Sequence, residues 1–325
     1  MSLLAKIAYP LLTASPLFFL QRAWVAAKGI TVFMYHDIGR DDDDIDIWQV
    51  VRRRDFLQQV NYLRQHYDIV SLDEALHAAQ TKLPSKPLAV LTFDDGLQGN
   101  IQYLLPILER ERLPAIIYVA TGHVESGNSY WFDKLVNRLQ IKKPITINLT
   151  EFSLGTHQFN SSQGAENWAK IHALLSLIKT RPKEECGPIT EAAIRQIPDS
   201  AENSMTPLSP DDVKTLADCP YVTIGAHTNG HEILTQIDLK TAEATITESV
   251  LKLRRWTNRE INHFAYPAGF YNQQVAELVK RIGFKTSMTT DHGIWSPSNS
   301  AHTIPRIAVG RYDSIHTFKI NSVRP

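Results

Sequence analysis

Short apolar runs separated by amphipathic stretches dominate the chain from residue 29 onward. Ile30 to Tyr35, Leu88 to Leu91, Ala115 to Ala120 and Tyr221 to Ala226 are each four to six residues long and nearly free of charge. Runs of that length, rich in β-branched and aromatic side chains, read as strands buried on both faces. Between them, Phe56, Val60, Leu63 and Tyr67 recur at helical spacing, which predicts an amphipathic helix over 55–66. Ser71-Leu72-Asp73-Glu74 is a capping-box pattern opening a helix to about Ala79. Further helices are expected over Ile101 to Glu111, from Ser209-Pro210 onward, from about Leu239 to Trp256, and up to Ile282 with Gly283 as a C-terminal stop. Phe264 to Gly269, Phe284 to Met288 and Ile304 to Val309 add strand candidates. Repeated strand and helix alternation implies parallel pairing through crossover helices. About seven such units predict an α/β chain folded as a distorted, incomplete (β/α) barrel over residues 29–325.

Two stretches break the pattern. Residues 123–206 hold Trp131-Phe132-Asp133, a hairpin pattern from Ile145 to Phe159 and two helical patterns, and read as an α+β insertion. Trp131 there is equally suited to stacking on a sugar or to packing in the insertion's own core. Residues 1–28 form an apolar N-terminal arm. Ile7 to Leu20 is interrupted by Pro10 and Pro16 and is short for a bilayer span. Lys6 and the small residues around Ala26 resemble a poor signal peptide. A surface-lying segment with Phe18, Phe19 and Trp24 at an interface fits as well. A peripheral anchor or packed arm is favoured over a cleaved signal, and a cytoplasmic or membrane-associated location over export.

Composition changes little in this picture. Hydrophobic residues make up 43% of the 325 and charged ones 21%, with 34 basic against 34 acidic. The absence of a basic surplus argues against nucleic acid as a partner. Cys186 and Cys219 are too few and too far apart for a disulfide framework or a close metal-binding pair.

The candidate chemistry sits at strand ends. Thr92-Phe93-Asp94-Asp95-Gly96 closes the run from Leu88. Adjacent carboxylates there are costly to desolvate unless a metal or a reaction uses them, although Asp-Gly is also a common turn and capping pair. His227-Thr228-Asn229-Gly230-His231 closes another apolar run, and two histidines four apart can reach one ion. A carboxylate with two histidines is a catalytic zinc-type donor set.

Thr-Phe-Asp-Asp-Gly followed by His-Thr-x-x-His resembles the NodB-type polysaccharide deacetylases, carbohydrate esterase family four, over roughly residues 29–310. The resemblance implies the barrel fold and hydrolytic, metal-dependent N-deacetylation of N-acetylhexosamine units in a polysaccharide or lipid-linked glycan. It implies Asp94 as general base and Asp95, His227 and His231 as ligands of one divalent ion, zinc being expected and Co2+, Ni2+ or Fe2+ fitting the same donors. Backbone N–H near Ala268 would help an oxyanion. Family members commonly take their general acid from a C-terminal Leu-x-His-Asp segment, which is missing here. Met34-Tyr35-His36-Asp37 supplies that pattern at the N-terminus instead, as in the circularly permuted deacetylases of poly-β-1,6-N-acetylglucosamine. In a closed barrel the two placements are equivalent, so His36 is the expected acid, with Asp37 acting through its ring. The family's base-orienting arginine is also displaced, since Ala265 stands near its position; Arg306 is the candidate replacement. Asp291 and Trp295 are candidates for a weak fourth motif forming a pocket wall. Competing readings are a deacylase or deformylase of a small amide, and a non-catalytic carbohydrate-binding protein on the same fold.

Overall fold

The structure, a computed structural model, describes residues 9–26, 28–43, 45, 47–141, 143–160, 164–198 and 205–324. Its contacts divide the chain into two compact units. One comprises 1–41, 49–126 and 208–325, the other 42–48 and 127–207.

The first unit is built on parallel strands. In chain order they are β1 (Thr31–Tyr35), β2 (Asp37–Gly39), β3 (Val50–Arg52), β4 (Asp68–Ile69), β5 (Leu88–Phe93) and β6 (Ala115–Val119). After the second unit's β7 (Ile145–Asn148) and β8 (Thr156–Phe159) come β9 (Val222–Ala226), β10 (His263–Ala265), β11 (Thr286–Met288) and β12 (Ile307–Ala308). The main sheet runs β11-β10-β9-β6-β5-β1-β12, with β4 on the edge of β5 next to β5's first residues. Every pair in it is parallel. The two ends of that order meet in the segment 301–309. Its first part bonds to β11, through Ser287 N–H to Ala301 O and Ile304 N–H to Ser287 O, and its last part to β1, through Val309 N–H to Met34 O. The sheet is therefore a curled, distorted (β/α) barrel, as its pattern predicts.

Strand side chains alternate between two cores, as a pleat requires. Ile30, Val32, Leu88, Val90, Ile116, Tyr118, Ala265, Met288 and Ile304 share the smaller one, inside the barrel. Phe33, Tyr35, Leu91, Phe93, Ile117, Val119, Ile224 and Ile307 belong to the larger one, between sheet and helices. Gly225 sits at an inward position because a Cβ there would lie 2.4 Å from the Tyr118 ring. Continued past the strand ends, the inward parity falls on His36, Asp94 and His227, and just ahead of β12 it falls on Arg306. Three polar side chains thus line the C-terminal mouth of the barrel because of where the strands stop, and Arg306 reaches them from the start of β12 through its long side chain.

Helices follow the sequence closely. Arg53–His66 buries Phe56, Val60 and Leu63, and Leu72–Gln80 opens with the reciprocal Ser71–Glu74 capping box. Pro210–Asp218 has a second such box, between Ser209 and Asp212. Leu239–Thr257 is capped by the Asp238 carboxylate, and Gln273–Ile282 ends on Gly283 at φ 108°. The stretch after the aspartates differs from expectation: residues Asn100–Leu104 form a π turn before the helix Leu105–Glu111. Asn100 is held there by its side-chain bonds to His36 O and Asp37 Oδ1 at 2.9 and 3.0 Å, so the widened turn adjoins the site.

Beside the interruption expected over 123–206, residues 121–126 form a helix, Thr121–Ser126, of the first unit. The second unit holds the antiparallel pair β7–β8 and helices Trp131–Arg138, Ala165–Lys179 and Lys183–Ile194. Phe132, Leu135, Val136, Ile171, Leu175 and Ile178 are among its buried apolar side chains.

Candidate active site

Asp94 is the first residue beyond β5, and its N–H completes the ladder to Tyr35 O at 3.0 Å. Its carboxylate is only 4% exposed and meets the guanidinium of Arg306, 1% exposed, in a two-pronged pair. Nη1 donates to Oδ1 at 2.8 Å and Nη2 to Oδ2 at 2.7 Å. Two further guanidinium hydrogens are also used: Nε donates to Thr289 O at 2.8 Å and Nη1 to Thr92 Oγ1 at 3.0 Å. Such a fork fixes the plane of the carboxylate as well as its charge. Burial alone would raise the Asp94 carboxyl, but the Arg306 charge and hydrogen bonds, with His227 and His36, outweigh it and hold it below its ordinary value.

The chain then turns through Asp95 at φ 75° and Gly96 at φ 72°. That left-handed step swings the second carboxylate away from the first and toward β9. Asp95 Oδ1 lies 3.4 Å from the Nε2 of both His227 and His231. The three side chains offer ligand atoms within 4.8 Å of one another, the one such metal-ligand group among the described residues. His227 donates from Nδ1 to Ala265 O at 2.8 Å, which fixes the ring and turns Nε2 to the carboxylate. Burial opposes the Asp95 charge, yet its bonds to His227 and His231 hold its carboxyl well below the ordinary range. One carboxylate and two oriented imidazoles fit a divalent ion with coordination positions left for water and substrate.

The loop carrying His231 is strained and tightly held. Thr228 and His231 have φ of 62° and 55°, conformations side-chain-bearing residues rarely adopt. Thr121 N–H bonds to Thr228 O at 3.2 Å and Gly122 N–H to Asn229 O at 2.6 Å. Glu232 accepts from Gly230 N–H at 2.9 Å and from Thr245 Oγ1 at 2.7 Å, and Lys252 reaches Asn229 Oδ1 at 3.0 Å.

His36 follows β1 and senses the same centre. Burial lowers its pKa, Asp95 and Asp94 act to raise it, and Arg306 and His227 add to the lowering. Asp37 departs from expectation. Its carboxylate accepts from Ile38 N–H and Asn100 Nδ2, both at 3.0 Å, and from Gly99 N–H, so it braces the loop after the aspartates rather than the His36 ring. A Cβ on Gly99 would lie 2.2 Å from Asp37 Oδ1, which is why glycine stands there.

Trp295 is a second correction. It is 2% exposed and pairs with Ile30, N–H to O at 3.0 Å and O to N–H at 2.9 Å. Ile30 precedes β1, so Trp295 plugs the N-terminal end of the barrel interior instead of walling the site. Asp291, exposed, accepts from Tyr271 Oη at 3.3 Å. Ala268 lies at φ 54° in the turn Pro267–Gly269 after β10, three residues beyond the carbonyl that holds His227. Trp131 starts a helix of the second unit, its ring edge-on to Phe132. The pattern reading gave no role to Thr92, Thr289, Asn100 or the Glu232–Thr245 pair. Thr92 lies within one recognised motif and Glu232 adjoins the other; Thr289 acts through its carbonyl, which no side-chain pattern reveals.

Comparison with known proteins decides the lineage. The family described as polysaccharide deacetylase matches residues 81–287. The chain belongs to the polysaccharide deacetylase family, hydrolases that release acetyl groups from their amide linkage. A poly-beta-1,6-N-acetyl-D-glucosamine N-deacetylase of Staphylococcus aureus is 20% identical over 280 residues, covering 82% of this chain and 73% of its own. Among solved structures, a deacetylase from Streptococcus pyogenes, PplD, superposes with a TM-score of 0.60 at 20% identity, covering 91% of this chain and 99% of its own. IcaB from Ammonifex degensii gives 0.59 at 17%, covering 91% and 98%. These two likenesses concern the fold, and the polysaccharide deacetylase's barrel is the one seen here.

Proposed function

We propose that this polysaccharide deacetylase is a metal-dependent N-deacetylase of β-linked N-acetylglucosamine polymers. The observation that carries the reading is the division of labour between adjacent carboxylates. Asp94 is committed to Arg306, while Asp95 is committed to two histidines. A binding protein has no need of an oriented, ionised carboxylate beside a ligand triad. The relatives named for poly-beta-1,6-N-acetyl-D-glucosamine support that polymer as substrate, as does the Tyr35-His36-Asp37 segment at the end of β1.

Asp95, His227 and His231 would hold the divalent ion, zinc being the natural choice for one oxygen and two nitrogen donors. When bound, such an ion supplies Lewis-acid polarisation of the acetyl carbonyl and lowers the pKa of water. The protein's own groups do the rest. Asp94, ionised and fixed by Arg306, accepts a proton from the attacking water. The backbone turn at Ala268 offers an N–H toward charge growing on the acetyl oxygen. His36 donates a proton to the departing amine, which leaves poorly without one. Burial disfavours its cation, so a protonated His36 gives its proton up readily.

The test is acetate and free-amine release from β-1,6-linked N-acetylglucosamine oligomers, with β-1,4-linked oligomers and small formamides alongside. Release that stops on chelation, returns with Zn2+ and favours the β-1,6 series is expected. Turnover of the small amides alone would reject the polymer reading.

A further inference from the structure

The helix Pro16–Ala26 is apolar on two faces, and only one of them is covered. Phe18 and Val25, 4% and 2% exposed, pack on Val323 and against Ile294, and Gln21 Nε2 donates to Val323 O at 3.1 Å. Thr13 Oγ1, just ahead of the helix, meets His316 Nδ1 at 2.9 Å. Contrary to the sequence reading, Phe18 is therefore an inward anchor. On the other side, Leu17, Leu20 and Trp24 are 72%, 67% and 49% exposed, with Leu11, Leu12 and Phe19 beside them. Six of the ten large exposed apolar residues described in this chain lie within 11–24, a concentration that isolated surface leucines do not produce.

Charge identifies what covers this face. No acidic residue occurs before Asp37. Arg22 lies over the Phe19 ring at 5.2 Å and Lys28 over Trp24 at 3.9 Å, apolar body and cationic tip side by side. A cleft of about 320 Å³ opens next to the patch, lined by Phe19, Arg22, His66, Ser85 and Lys86 among others. Arg22 stands in its wall beside Tyr62, whose hydroxyl pKa it acts to lower against the effect of burial. Exposed leucines and aromatics bordered by cations match the boundary between acyl chains and anionic headgroups. No described helix is long and apolar enough to cross a membrane.

We propose that the Pro16–Ala26 helix docks the enzyme on an anionic lipid surface, with Leu17, Leu20 and Trp24 among the acyl chains and Arg22 and Lys28 at the headgroup phosphates. The geometry carries a consequence for the substrate that rests on the deacetylase reading. The helix packs against Ile294, next to the Trp295 plug, and its cleft includes Pro87, immediately before β5. Both mark the N-terminal end of the barrel, whereas Asp94 follows the other end of β5. Six residues of strand separate Leu88 from Asp94, about 20 Å at ~3.3 Å each. The docked enzyme works on acetamido groups that stand off the bilayer, as in a polymer, and not on the sugar nearest a lipid anchor.

Flotation of the full chain with vesicles, without glycan, tests the docking separately from the activity. Phosphatidylcholine vesicles containing phosphatidylglycerol are expected to carry the protein upward, and phosphatidylcholine alone to carry much less. Leu17→Ser/Leu20→Ser/Trp24→Ser should stay at the bottom, while Arg22→Gln and Lys28→Gln each lower the partition about fivefold, the equivalent of ~1 kcal/mol per cation. Emission of the unaltered protein should shift to the blue on vesicle addition, and Trp24→Phe should remove most of that shift, a readout independent of how the triple variant folds. Equal flotation of the triple variant would overturn the proposal. So would indifference to the anionic lipid, or a dimer that the triple variant abolishes with no vesicle binding by the wild type. Leu20→Ser should deacetylate a soluble oligomer at the wild-type rate, so loss of docking and loss of chemistry cannot be confused.

Discussion

At the scale of single residues, the Arg306–Asp94 pair decides most. Both groups are nearly sealed from water, so removing one partner strands a charge, a loss of about 3–5 kcal/mol for buried pairs generally. Arg306→Ala should therefore cost on the order of 3 kcal/mol in stability. It should also let burial raise the Asp94 carboxyl, and since the base must be ionised, the acid limb of the pH–rate profile should move to higher pH. Arg306→Lys should keep part of the stability but lose the fork, and the profile measured on both variants checks this. A limb that does not move would separate Arg306 from the base. His36 has a sharper test. His36→Ala should slow amide hydrolysis roughly one hundredfold or more, because an amine needs a proton to leave. Hydrolysis of an activated aryl acetate, whose leaving group needs none, should fall far less. Equal losses on both substrates would leave His36 without the acid role.

At the scale of elements, the strands were legible because their side chains are buried on both sides. Leu88 to Leu91 and Tyr221 to Ala226 read as apolar runs for that reason, and Asp94, Asp95 and His227 stood out as chemistry beyond them. Less visible was anything set by the partner strand. Segment 301–309 divides its bonds between β11 and β1, so only Ile307–Ala308 registers as strand although the apolar pattern spans Ile304 to Val309. Asp37 follows His36 in sequence, yet the neighbouring loop at Gly99 and Asn100 claims its carboxylate. The family resemblance made Trp295 a candidate for a pocket wall; register with Ile30 sends it to the opposite end. The left-handed turn at Asp95 is foreshadowed by the Asp-Gly pair, whereas the one that aims His231 has no glycine at its left-handed position to announce it.

Element ends also carry titrating groups. His263, at the start of β10, bonds to Thr286 Oγ1 at 2.9 Å and is 1% exposed. Burial pushes its pKa down from 6.5 to about 4. Between those values the unfolded chain binds a proton that the folded chain refuses, so stability should fall as pH drops through that window, by about 3 kcal/mol in all. Asp37 runs the other way: burial raises its carboxyl from 3.8 to about 7, so its contribution falls as pH rises across that range. The wild-type curve mixes the two. The difference in unfolding free energy between wild type and His263→Gln isolates the histidine, and should shrink from pH 7 to pH 4. A constant difference would contradict the buried, neutral ring.

For the whole molecule, the barrel unit brings together Asp94, Arg306, Asp95, His227, His231 and His36, drawn from segments as far apart in sequence as residues 36 and 306. Balanced charge, 34 basic against 34 acidic residues, means that no broad field holds a product chain made cationic by deacetylation. The central claim is that adjacent carboxylates have different tasks, Asp95 holding the ion and Asp94 taking the proton. Metal content and deacetylation rate, determined on the same preparations of Asp94→Asn and His231→Ala, test it most directly. Asp94→Asn should keep one ion per chain and lose turnover by about two to four powers of ten, while His231→Ala should lose most of the ion and the activity together. An Asp94→Asn enzyme emptied of metal, or a His231→Ala enzyme that keeps its ion and its rate, would contradict that assignment.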